Sequence, residues 1–133
     1  MSQLQQSAFS PATSGQQMSM SAAETGTWHM VCALEDIWPN TGVCALLAGR
    51  QIAIFRMKGD ALYALDNHDP HSDANVISRG LVGDLGGEPV VASPIYKHHY
   101  QLRSGVCVED ANTQLNTYAV EVRAGMIWVQ LLA

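Results

Sequence analysis

The groups in this sequence that could do chemistry are five histidines, three cysteines and scattered carboxylates, and four of the histidines fall in two short stretches. The first is Asp66-Asn67-His68-Asp69-Pro70-His71, and the second is Ser93-Pro94-Ile95-Tyr96-Lys97-His98-His99-Tyr100. If the two stretches meet, His68, Asp69, His71, His98 and His99 offer donors for a mononuclear metal, although loop hydrogen bonding or surface exposure is the role expected of these imidazoles ahead of metal binding. His98 and His99 are neighbours on an extended segment, so their side chains point to opposite faces and at most one can aim at the first stretch. Asp69 reads as a loop cap that accepts backbone N–H bonds. An acid/base role for it would need a titratable partner and a pocket, which the sequence does not display. Ser93 beside histidines suggests a hydrolase, but no Gly-x-Ser-x-Gly elbow surrounds it and Pro94 follows directly. Gly80, Gly83, Gly86 and Gly87 lack the order of a phosphate cradle and read as turns. Cys32, Cys44 and Cys107 are odd in number and widely spaced, which argues against a disulfide framework or a zinc site. They read as small buried hydrophobes.

Short strands with turn punctuation position these stretches. Trp28 to Cys32 alternates as a strand does, Pro39-Asn40-Thr41-Gly42 is a turn, and Val43–Leu47 and Arg50–Met57 are strands joined at Ala48-Gly49. Lys58-Gly59-Asp60 turns the chain into Ala61–Leu65. Near the C-terminus, Tyr118–Arg123 and Met126–Leu131 form a hairpin through Ala124-Gly125. In that last strand Ile127, Val129 and Leu131 share one face, with Met126, Trp128 and Gln130 on the other. No stretch gives a helix of three turns. Short strands at this spacing specify an all-β sandwich or small barrel. Long loops on such a scaffold, here between Asp66 and Gly105, are where sites are built. Trp28, Trp38 and Trp128 read as core or rim packing, with one of them able to anchor a partner.

The 133 residues suffice for one domain. Residues 1–25, rich in Ser, Gln, Ala and Met, read as a disordered tail, and residues 26–133 as the folded domain. A net charge of −5 argues against nucleic-acid or anionic-membrane partners. No apolar run is long enough for a membrane-spanning helix, and the first basic residue is Arg50, unlike a secretory or transit leader, so the expected location is cytoplasmic.

The two stretches, followed by Gln101-Leu102-Arg103-Ser104-Gly105, resemble the Rieske iron–sulfur domain. In that family the first loop reads Cys-Pro-His or Cys-x-His. The second reads Cys-Pro-x-His, followed by an aromatic and a basic-x-Gly turn. The resemblance implies an all-β, Rieske-like ferredoxin fold: a small antiparallel sandwich or barrel with a two-loop subdomain. Matched by position, the ligand cysteines fall on Asp69 and Ser93 and the ligand histidines on His71 and Tyr96. A Rieske cluster needs two thiolates on one iron and two imidazoles on the other. Carboxylate, hydroxyl and phenol are hard oxygen donors that substitute poorly for them. None of the cysteines lies in either loop. The four are therefore vestigial ligand positions, and the expectation is no [2Fe–2S] cluster, no other metal and no catalytic residue.

The wording is similar to one branch in particular, the small subunits of assimilatory NAD(P)H nitrite reductases. The matching runs are Pro39 to Leu47, Ala64-Leu65-Asp66-Asn67-x-Asp69-Pro70, Ser78 to Asp84 and Gly87 to Pro94. His71 departs from the branch, where an aromatic is expected. The resemblance implies a non-catalytic subunit that binds a large subunit, which itself carries FAD, siroheme and an iron–sulfur centre, binds NAD(P)H and reduces nitrite to ammonium. The docking face is expected at the two loops, with Arg79, Lys97, His98 and Arg103 as candidate contacts. Two alternatives stand beside this reading. A Rieske-type electron-transfer ferredoxin would hold about two irons per chain, and a mononuclear metal protein would lose metal uptake when His71 and His98 are replaced.

Overall fold

Apolar runs and Ala-Gly or Gly-Gly turns build most of the twelve strands found among the described residues. The computed structural model describes residues 26–132, so the expectation for residues 1–25 lies outside the described residues. His29–Gln130 form one compact unit, and the described residues at the two chain ends belong to another. These are Gly26–Trp28, Leu131 and Leu132, with Leu131 buried and Leu132 exposed.

The strands are β1 (Thr27–Ala33), β2 (Thr41–Leu47), β3 (Arg50–Arg56), β4 (Leu62–Asp66), β5 (His68–Asp69), β6 (Ala74–Asn75), β7 (Leu81–Leu85), β8 (Glu88–Ala92), β9 (His99–Gln101), β10 (Thr117–Tyr118), β11 (Val120–Arg123) and β12 (Met126–Leu131). Four sheets result, ordered β1-β12-β11, β10-β4-β3-β2, β5-β6 and β7-β8-β9. The helical elements among the described residues are single 3-10 turns, and no helix there is long and apolar enough to cross a membrane.

The all-β expectation holds, and the patterns explain the placement. Strand β3 is central, and its Ile52-Ala53-Ile54-Phe55 run is fully buried, the signature of a strand covered on both faces. On β12, Ile127 and Val129 are buried and alternate with half-buried residues, as the period-2 pattern predicts. The β2–β3 and β11–β12 hairpins turn through Ala48-Gly49 and Ala124-Gly125, all four residues at positive φ. Gly86-Gly87 does the same between β7 and β8.

Five expectations change. Tyr118–Arg123 is two strands, not one: Tyr118 pairs with Ala64 and Val120 with Val129, so the chain switches sheets at Ala119. Gly42 lies inside β2 opposite Phe55, whose ring takes the space a Cβ would need. Gly83 sits within β7 and is not a turn residue. Cys107 is buried, but Cys44 is exposed on edge strand β2, and Trp38 is 79% exposed.

One apolar cluster joins the large sheet to the loop-bearing half: Ala53, Phe55, Leu65, Ile77, Val91, Tyr100, Leu102, Cys107 and Leu115. Gly105 closes its margin at φ 80, where a Cβ would fall against the carbonyl oxygen of Leu115. Gly59 also has φ 80, but open space surrounds it. Gly105→Ala is therefore expected to cost more than about 2 kcal/mol in urea unfolding. Gly59→Ala carries only the backbone penalty, about 1 kcal/mol.

Candidate functional site

Asn67 sets the first loop. Its side chain is 2% exposed, donates to Gln51 Oε1 at 3.1 Å and to Cys44 Sγ at 3.5 Å, and accepts the Ser78 amide at 2.7 Å. These bonds tie the end of β4 to the central sheet and to the turn ahead of β7. The second loop leaves β8 at Ser93 and returns to β9, closed by the Ser93 amide donating to the His98 carbonyl at 2.9 Å. Tyr96 and Lys97 lie at φ 62 and 59, which lets so short a loop reverse.

The loops meet at a buried carboxylate. Asp69 is fully buried, as is Ser93. Its Oδ2 accepts from Ser93 Oγ at 2.6 Å and from Ser72 Oγ at 2.8 Å. Its Oδ1 accepts from Tyr100 Oη at 2.7 Å and from the His71 amide at 3.1 Å. Burial alone would raise this carboxyl, but the bonds from Ser93, Tyr100, Ser72 and the His71 amide outweigh it and hold the pKa below its ordinary value. Burial, and then the bond to Asp69, push the Tyr100 phenol upward.

Around this centre lies a shell of imidazoles. His71 Nδ1 is 2.8 Å from Tyr100 Oη, and its Nε2 is 3.2 Å from Asp110 Oδ2. The His98 ring stacks on His71 with centroids 3.8 Å apart and planes 5° apart. His98 Nδ1 is buried without a hydrogen-bond partner among the described residues. His99 points away and pairs with Glu109 Oε2 at 2.6 Å, so the opposite-face expectation for the two adjacent histidines holds. Glu109 is held low by the His99 bonds against its own desolvation. Asp110 is lowered first by Thr113 and then by His71.

The structure thus brings Asp69, His71, Ser93 and His98 together and leaves Tyr96 out: its ring is 71% exposed. His68 also stands aside, pairing with Asn75 and Asp73. Arg79 and Lys97 are exposed at the loop end of the hairpin. Arg103 is not beside Lys97. It pairs with Glu88 at 3.5 Å, at the far end of β8–β9. Tyr100 and Asp110 are members of the site that the sequence did not single out. The phenol closes the second stretch but was given no role there, whereas Asp110 carries no motif and reaches His71 only through the fold.

The donor set does not fit a [2Fe–2S] cluster. The carboxylate of Asp69 and the hydroxyl of Ser93, where the resemblance puts thiolates, are hydrogen-bonded to each other, and the imidazoles of His71 and His98 stack face to face without converging on one point. Among the described residues no group of three or more His, Cys, Asp or Glu is arranged to hold a metal ion.

The family described as the Rieske-like [2Fe-2S] domain matches residues 27–130. The nitrite reductase (NADH) small subunit of Escherichia coli (strain K12) is 42% identical over 101 residues, 75% of this chain and 94% of that protein. The nitrite reductase [NAD(P)H] large subunit of Klebsiella oxytoca contains a segment 48% identical over 109 residues, 80% of this chain but only 11% of that protein. The solution structure of the nitrite reductase [NAD(P)H] small subunit from Erwinia carotovora superposes with a TM-score of 0.68 at 41% identity, covering 84% of this chain and 83% of the other.

Asp69→Asn puts amide donors against hydroxyl donors and is expected to cost about 3 kcal/mol, read by chemical denaturation. The pH sign follows from the lowered carboxyl. Its stabilisation is fully present above the unfolded carboxylate value of about 3.9 and is lost as pH falls through the lower folded value. The variant should show a flatter acid limb in its stability–pH profile, and an unchanged limb would mean Asp69 is not the group responsible.

Proposed function

The chain belongs to the Rieske-like domain family, on the branch of nitrite reductase small subunits, and from that membership we propose that it is the non-catalytic small subunit of an NAD(P)H nitrite reductase. In this reading it docks on a large subunit that carries the nicotinamide, FAD, siroheme and iron–sulfur chemistry and reduces nitrite to ammonium. The observation that carries the reading is the exchange at the former cluster position: the two loops keep a defined geometry, while Asp69 and its four donors take the place of ligands. The homologous segment within the Klebsiella large subunit supports the partnership, since one polypeptide there holds both parts. Residues 26–133 act as one docking module, and the cytoplasm is where it works.

The docking face we assign to the two loops. Tyr96 offers an exposed aromatic there, the kind of residue that anchors interfaces. Lys97 and Arg79 add positive charge, and neither makes an ion pair among the described residues. His98 lies just beneath. A partner surface bearing carboxylates complements this edge.

Metal analysis and a visible spectrum of the purified chain test the cluster-free reading: a colourless protein without stoichiometric iron is expected, and about two irons per chain with charge-transfer bands would overturn it. Lys97→Glu is expected to weaken binding to the large subunit by about tenfold, roughly 1.4 kcal/mol, in a titration of the two purified subunits. Arg103→Glu, at the far end of the hairpin, is expected to change binding far less. The reverse ranking would move the interface to the Glu88 end.

A further inference from the structure

Strand β7 is an edge whose outer row of backbone groups has no partner among the described residues. It runs Leu81-Val82-Gly83-Asp84-Leu85 along one side of the β7-β8-β9 sheet. Its pairing with β8 is one-to-one, from Leu81 opposite Ala92 to Leu85 opposite Glu88, with no bulge. An edge strand turns the amide and carbonyl of alternate residues away from its neighbour. Residues 81–85 make no backbone hydrogen bond outside that ladder among the described residues, so the row is open. Exposed edges are ordinarily blunted by Lys, Pro or a bulge, because an open row is a template for another strand. β7 has none of the three.

The side chains of β7 point the same way. Val82 packs against the core cluster, so strand alternation puts Leu81, Gly83 and Leu85 on the outward face. Leu81 is 78% exposed and Leu85 44%. Between them, a Cβ built on Gly83 would meet nothing within 4 Å, so the two leucines flank an open notch. The edge of β2 also lacks Lys and Pro, but its residues 43–47 line one groove with residues 30–32 of β1. A strand reaching β2 would have to enter between two strands, whereas β7 offers a free side.

We propose that β7 is a second contact with the large subunit, which adds an extended segment to this edge. That segment carries apolar residues alternating over Leu81, Gly83 and Leu85, and a carboxylate opposite Arg79. The inference rests on the docking reading above and names where a strand of the same partner lies. Two observations join the edge to the loop face. Leu81 pairs with Ala92, the residue before Ser93, so β7 begins at the root of the second loop. Arg79, two residues ahead of Leu81, is exposed and makes no ion pair among the described residues, and a carboxylate on the added segment supplies one. In strand addition the main-chain bonds give affinity, and the alternate side chains give selectivity.

The test is hydrogen exchange of the full chain, alone and saturated with the purified large subunit, quenched and read residue by residue. In the complex, every second amide of β7 is expected to slow by about tenfold or more, because strand addition bonds only the outward row. Leu81→Lys sets a charge against the added strand and is expected to weaken binding by about tenfold in a titration of the two subunits. Its unfolding midpoint should match that of the unaltered chain, since the replaced side chain is mostly in water. Binding that leaves the β7 amides unchanged, or that Leu81→Lys does not weaken, overturns this inference and leaves the subunit reading standing. Slowing in the free chain that grows with its own concentration means that a second copy fills the edge, and overturns it too. No binding at any concentration sinks the subunit reading and this inference with it.

Discussion

A carboxylate sealed from water has to be satisfied, and in this chain that requirement organises everything around the two loops. Asp69 has no exposed surface and accepts from Ser72, Ser93, Tyr100 and the His71 amide. Those donors come from the first loop, from the end of β8 and from β9. An unmet charge at this depth would cost several kcal/mol, far more than any one loop contact returns. The geometry of both loops therefore follows from a single side chain.

Tyr100 links this polar centre to the rest of the fold. Its ring packs in the cluster with Phe55, Leu65, Val91 and Leu102, while its hydroxyl ends on Asp69. An aromatic with a polar tip serves here as the hinge between an apolar core and a buried network. The same hydroxyl lies 2.8 Å from His71 Nδ1, so packing in the core reaches as far as the placement of a half-buried histidine.

Much of this was legible in the residues. Strand periods placed β1, β2, β3, β4 and β12, and the Ala-Gly pairs marked both hairpins, because local sterics decide turns and alternation decides faces. Adjacent histidines on a strand had to diverge, and His98 and His99 do. What the sequence hid were features fixed by distant pairing. The break at Ala119 exists because two sheets claim the two sides of one segment. Arg103 looked close to Lys97 along the chain, but the β8–β9 register puts several strand residues between them, ~3.4 Å each. Asp110 reaches His71 across 39 positions, a contact no local pattern encodes. Position-matching also set Tyr96 where the second imidazole belongs, yet the ring that faces His71 is that of His98, because the reversal at Tyr96 and Lys97 turns the phenol outward.

The 2.6 Å bond between Ser93 and Asp69 couples the two positions. Each of these residues makes the other tolerable, so neither can be replaced by cysteine alone without stranding its partner: a thiol at 69 orphans three hydroxyls, and a thiol at 93 removes a donor from a buried anion. Positions 69 and 93 therefore have to be substituted together, as a unit, if the loops are to keep their packing.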